Sequence, residues 1–157
     1  MIAAESAISV TILPVSVAAI FDAPNSADLF RANAEECLVP DADPQRAIYE
    51  AMEQTGVIQC FAAYLNDSLI GFAALLLTPM LDHPGKCLAT IKNIFVDPAY
   101  RSTGAGDLLL DAADRFTEDY GCIGITGVAI IGSRLEKVLS RRAGYRQTHS
   151  VFTRRLP

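Results

Sequence analysis

The stretch IKNIFVDPAYRSTGAGDLLLDAADRF, Ile91 to Phe116, joins an apolar run to an amphipathic one through RSTGAG, Arg101 to Gly106, a hinge of glycines and hydroxyl residues. CLATIKNIFV, which stops before Asp97-Pro98, reads as a strand. From about Gly104 to Tyr120 the residues Leu109, Ala112, Ala113, Phe116 and Tyr120 fall on one face, so the spacing predicts a helix closed by Gly121. Such a strand-to-helix hinge sets a row of free backbone N–H groups and one guanidinium at a helix N-terminus, which makes an anion site. Glycines there let an anion approach with no Cβ in the way.

Before this junction, GVIQCFAAYL and LIGFAALLL, joined by the turn tripeptide Asn66-Asp67-Ser68, predict an antiparallel hairpin. TPMLDHPGK, with two prolines and a glycine, is a loop. AISVTIL, Ala7 to Leu13, alternates β-branched residues and ends at Pro14, so it reads as the first strand. Two or three helices follow it: one patterned on Val17, Ile20 and Phe21, one opening at the cap-like Ser26, and one through QRAIYEAMEQ. After the junction, IGITGVAI is another strand, and SRLE is a capping box, with Ser133 as N-cap and Glu136 three residues on. That helix should end near Ala143-Gly144, with YRQTHSVFTRRL as a last strand segment. The order β–helices–β–β–β–α–β–α–β describes one domain over residues 1–157, without internal repeats or a linker.

A chain that is 51% hydrophobic and 20% charged is not disordered, and suits a mostly buried sheet. Its net charge of −5, with no Lys/Arg-rich run, argues against nucleic acid as the main partner. Cys37, Cys60, Cys87 and Cys122 show no metal-ligand spacing, so no metal is expected, and they read as reduced, mostly buried thiols of a cytoplasmic protein. The apolar N-terminus lacks a basic n-region, carries Glu5 and is broken by Pro14; a strand is expected there, not a signal peptide or a membrane span.

The hinge is neither GxxxxGK[ST], since no lysine follows its second glycine, nor GxGxxG, since Asp-Leu-Leu follows Gly106. It is R-x-x-G-x-G, with Arg101, Gly104 and Gly106, introduced by Val96 and Pro98 and followed downstream by the pair Gly144-Tyr145. This pattern, with the order of elements around it, resembles the acetyl-coenzyme A loop of the GNAT superfamily of N-acyltransferases. The resemblance implies an α/β fold of the α+β type. Its central sheet would be mixed and mostly antiparallel, with six to seven strands, about four flanking helices and a splayed parallel strand pair. It implies acetyl-CoA as cosubstrate, its diphosphate held by Arg101 and the backbone of Ser102, Thr103, Gly104, Ala105 and Gly106. Main-chain groups of Ile94, Phe95 and Val96 would hold the pantetheine arm, and a backbone N–H of that stretch the thioester oxyanion. Ser133 falls where many relatives have an Asn touching the arm, although capping alone accounts for it.

The implied reaction is direct attack of a primary amine on the thioester, through a tetrahedral intermediate. An alkylammonium has a pKa of about 10.4, so a base or a water relay must help deprotonate it. Many relatives place a Glu on the strand before the loop; KNIFV has none. Asn93 could orient a water, and His83, in the loop ahead of that strand, is the alternative base or else a surface turn residue. Glu35 and Glu36 either bind a cationic acceptor or form a solvated helix face. The tyrosine that often protonates the leaving thiolate is replaced by Ser140. An N-acetyltransferase for a small-molecule or protein amine is the first reading, and a catalytically weak or inactive CoA-binding, regulatory module on the same fold the second. The short final segment either bends at Gln147-Thr148 or is lent to a neighbour, which would favour a homodimer.

Overall fold

The computed structural model describes residues 9–157; Ala7 and Ile8 of the expected first strand, and the residues before them, lie outside the described residues. The first strand, β1, runs Val10–Val15 and so continues through Pro14. It is an edge strand, where a missing N–H is tolerated. Three helices follow: α1 (Val17–Phe21), α2 (Ser26–Glu36) and α3 (Arg46–Gln54). The N-cap of α2 is Asn25, one residue before the expected Ser26. Asn25 donates from Nδ2 to the Leu69 carbonyl at 2.8 Å and ties the helix start to the sheet.

The hairpin forms as β2 (Ile58–Leu65) and β3 (Ser68–Pro79), and its turn is two residues long: Asn66 and Asp67 both adopt positive φ, while Ser68 already pairs with Leu65. Two positive-φ residues give the turn whose twist matches the strands. β4 (Cys87–Val96) pairs antiparallel with β3, a turn of 3₁₀ helix covers Pro98–Thr103, and α4 spans Ala105–Tyr120. β5 (Gly124–Gly127) then lies parallel to β4, and α5 (Arg134–Arg141) follows with Ser133 Oγ accepting from the Glu136 N–H at 3.2 Å.

The sheet order is β1-β2-β3-β4-β5, antiparallel except for the last pair. Strand side chains alternate between faces, so Phe61 and Ala63 pack under α4 while Cys60 and Ala62 pack under α1 and α2. Both faces are covered, which is why β2 and β3 read as near-continuous apolar runs.

Two expectations are corrected. Among the described residues the sheet has five strands, not six to seven, because residues 145–157 form no strand. The tail's apolar residues Val151, Phe152 and Leu156 are exposed, scattered among polar residues and arginines, and a four-residue β5 offers little ladder to join. The cysteines are also not all free thiols: Cys87 and Cys122 form a disulfide. Cys87 opens β4, Cys122 precedes β5, and parallel pairing from Leu88↔Gly124 brings their Cα atoms to 4.7 Å. The bond removes the ground that four reduced thiols gave for a cytoplasmic protein. Among the described residues no helix is long and apolar enough to cross a membrane.

Candidate functional site

β5 stays on β4 only from Leu88↔Gly124 to Ile91↔Gly127. At that point β4 changes its register with β3: Ile91 faces Leu75, Asn93 faces Ala74, and Lys92 is left over as a bulge. A bulge bends its strand and sharpens the local twist, so β4 turns away from β5 and a gap opens beside Lys92–Val96. This is why the expected strand IGITGVAI stops at Gly127.

The main-chain groups facing the gap follow from antiparallel alternation. The Asp97 N–H donates to the Ile70 carbonyl at 2.8 Å, which turns Asp97 and Phe95 toward β3 and leaves Ile94 and Val96 toward the gap. Of the three residues expected along the pantetheine arm, Ile94 and Val96 turn their main-chain groups to the gap, and the Phe95 main chain belongs to the ladder. The Val96 carbonyl already accepts from Arg101 Nε at 2.9 Å.

At the mouth of the gap, Gly104 has φ +83° and a Cβ built on it would meet nothing within 4 Å, so the left-handed backbone, not crowding, requires the glycine. Gly106 has ordinary φ, and a Cβ there would meet only the Val96 side chain at 3.9 Å. The N-cap Gly104 has no side chain to cap α4; the Leu108 N–H reaches back to the Gly104 carbonyl at 3.1 Å, the Ala105 N–H donates to the Thr103 hydroxyl at 3.4 Å, and the Gly106 and Asp107 amides are the orphan donors of the helix start. Ser102 is exposed, whereas the Thr103 hydroxyl donates to the Tyr100 carbonyl at 2.6 Å and Ala105 is buried. The Arg101 guanidinium points across to α2, where it pairs with Glu36 and lies 5.6 Å from the Phe95 ring centroid.

On the opposite face of β4 is a cavity of about 50 Å³ between the sheet and the three N-terminal helices. Phe21, Phe30, Tyr49 and Phe72 wall it, with successive ring centroids 5.0 to 5.9 Å apart. Its other polar residues are Asn33, Asn93 and Cys60, and no lining residue is charged. Burial pushes the Cys60 thiol up to about 11, so it stays protonated at neutral pH. Asn93, like Phe95, has its main chain turned to the β3 ladder, and its side chain lines the cavity; the next residue, Ile94, is the one whose main chain faces the gap.

His83 lies elsewhere, exposed in the β3–β4 turn, where its N–H contacts the Met80 carbonyl and its own carbonyl accepts from Lys86. From Cys87 to Ile91 the strand itself extends about 13 Å, so the turn and the gap lie at opposite ends of the β4–β5 pairing. Glu35 is exposed, and Glu36 is bound to Arg101 rather than facing the cavity. Ser140 donates to the Glu136 carbonyl at 2.7 Å. Tyr145 donates to Asp114 at 2.6 Å, and burial raises its pKa, so it is a structural anchor. Asn33, Tyr49 and the aromatic wall were not singled out from sequence; the only signal was aromatic residues at helical spacing, which any core-facing helix shares.

Residues 26–134, more than half of the 157, match the acetyltransferase (GNAT) family. No curated protein sequence is significantly similar to the chain. Among solved structures, ribosomal-protein-alanine N-acetyltransferase from Brucella melitensis biovar Abortus 2308 superposes with a TM-score of 0.73 at 18% identity, covering 94% of this chain and 99% of that one. An aminoglycoside acetyltransferase from an uncultured soil metagenomic sample gives 0.76 at 15%, over 96% and 100% of the two chains. AAC(6')-Iy, in complex with the bisubstrate analog CoA-S-monomethyl-acetylneamine, gives 0.68 at 18%, over 95% and 99%. At these identities the structures share the fold. With the family match over the hinge, the parted strands and the loop between them, the chain belongs to the GNAT acetyltransferase family.

Proposed function

We propose that the chain transfers the acetyl group of acetyl-CoA to a primary amine by direct attack on the thioester. The observation that carries this is the adjacent pair Asn93 and Ile94: the Ile94 main chain is turned to the parted strands while the Asn93 side chain lines the cavity, so neighbouring residues adjoin both places two substrates would occupy. The diphosphate would sit on the orphan amides at the start of α4 and the arm along Ile94 and Val96. The Ile94 N–H is the donor for the thioester oxygen as it gains negative charge. Asn93 would hold a water that carries the amine's proton outward, since an amide orients but does not itself act as a base.

A coenzyme A-binding module of low activity is the second reading. It is favoured by the cavity lining, which has no carboxylate or imidazole, and by Ser140, whose hydroxyl is spent on the helix backbone. Acetyl-CoA at a hundredfold its Kd should raise stability by about 2.7 kcal/mol, with NADH and ATP lacking that effect. Thiol release with an amine present then separates the readings: cofactor binding without release across amines leaves the module. Stabilisation by ATP but not by coenzyme A would remove both.

A further inference from the structure

We infer that the cavity beside Asn93 selects an acceptor with one amino group on a short apolar body and rejects polyamines; this deepens the acetyltransferase reading and rests on it. The walls are hydrocarbon and aromatic, and none of the lining residues carries a negative charge to hold a second ammonium. The carboxylates nearby lie outside the lining and already have hydrogen-bond partners. Arg46, 6.0 Å above the Phe21 ring, bonds Asp22 at 2.6 Å and Glu50 at 2.8 Å. Glu53 accepts from the Val17 N–H at 2.8 Å, and Glu36 is held by Arg101.

Placing a second ammonium among these rings strips it of its hydration, and a cation–π contact returns only part of that loss. A single amino group avoids that cost by staying against the amide side chains in the lining, Asn93 or Asn33, while its carbon chain lies among the rings. Size narrows the class further. A cavity of about 50 Å³ is well short of the roughly 150 Å³ that holds benzene, so the group it takes is a short alkyl chain. That chemistry is shared by a free alkylamine and by a polypeptide N-terminus with a small apolar side chain. In either case the amine nitrogen forms the C–N bond as the C–S bond of acetyl-CoA breaks. The products are the N-substituted acetamide and coenzyme A thiol, with one proton released from the starting ammonium.

The test compares n-butylamine with 1,4-diaminobutane, which differ by one terminal amino group, beside a tripeptide amide with N-terminal Ala and the aminoglycoside neamine. Thiol release should give n-butylamine at least a tenfold higher kcat/KM than 1,4-diaminobutane. Asn33→Asp should narrow or reverse that ratio by supplying a carboxylate, and Ala74→Leu should raise the amine KM with the acetyl-CoA KM unchanged. A tripeptide used better than n-butylamine assigns the same chemistry to a polypeptide N-terminus. Equal or better use of 1,4-diaminobutane or neamine by the unaltered protein overturns the inference. So does turnover of no amine by protein that acetyl-CoA stabilises, whereas failure of acetyl-CoA to bind at all overturns the acetyltransferase reading beneath it.

Discussion

The two faces of β4 are built from different kinds of information. Along its β5 edge, backbone does the work: a bulge at Lys92, a left-handed glycine at Gly104 and unbonded amides at the start of α4. On its helix-covered face the work falls to side chains drawn from α1, α2, α3, β2 and β3, which meet only after the chain has folded. The backbone edge is therefore constrained by φ and register and should fail abruptly on substitution. The side-chain face should respond by degrees.

The largest effect expected is at the base of the backbone edge. The disulfide Cys87–Cys122 closes a loop of sequence separation 35 and secures the end at which β4 and β5 still pair. Its removal should cost about 3–4 kcal/mol. The measurement is a urea midpoint for the protein as isolated, under reductant and as Cys87→Ser, with a thiol count in denaturant beforehand. Two thiols, Cys37 and Cys60, should titrate without reductant. Four would mean the bond is not formed and that pairing alone holds the base.

Next in size is the glycine at the mouth. Gly104→Val places a branched residue at φ +83°, where it is strained whatever the space, and sets its methyl groups over the orphan amides. Coenzyme A binding should weaken by more than 150-fold, about 3 kcal/mol. Gly106→Ala, whose Cβ would make only a 3.9 Å contact, should bind nearly as wild type. Calorimetry on both variants checks the pair. Equal losses would make crowding, and not backbone conformation, the reason for the glycines.

The contrast between the faces also accounts for what the sequence disclosed. The hinge, the β2–β3 hairpin and the bounds of β4 were legible because each is local: turn residues, periodicity and caps lie within a few positions of one another. The pairing of Cys87 with Cys122 was not, because it depends on β4 and β5 being parallel neighbours. Nor was the aromatic wall, since Phe21, Phe30, Tyr49 and Phe72 each look like ordinary core residues until the three helices are laid on the sheet. The last strand was expected from YRQTHSVFTRRL, yet a strand needs a neighbour, and none of the described residues pairs with that segment.

Arg101 links the two faces and yields an effect of intermediate size. Its guanidinium holds Glu36 and the Val96 carbonyl, so gripping the diphosphate would require it to leave Glu36. Arg101→Ala should weaken coenzyme A by about 1.5–3 kcal/mol, the range for a hydrogen bond to a charged group. Glu36→Gln, which frees the guanidinium, should move affinity the other way by less than about 1 kcal/mol, since the carboxylate it removes is partly exposed and the pair is screened. Two losses of equal size would instead show that the Arg101–Glu36 pair braces the loop and never turns to the cofactor.

The smallest effect is expected at His83, and it tests whether position along β4 decides function. A base must come within about 3 Å of the amine, or reach it through one water. His83 is exposed in a turn ahead of Cys87, while the strands part only after Ile91. With the pairing of β4 and β5 lying between, no single water spans that separation. His83→Ala should therefore keep kcat within about twofold of wild type, less than 0.5 kcal/mol on the barrier, and should leave the kcat profile from pH 6 to 9 unchanged. Asn93→Ala, at the cavity, should lower kcat while sparing the KM for acetyl-CoA, because a water held for the amine touches no part of the cofactor. A kcat that falls well beyond twofold in His83→Ala, with a changed pH profile, would mean that the β3–β4 turn folds over the acceptor during turnover. The catalytic group would then come from the end of β4 that the static structure sets apart from the cavity.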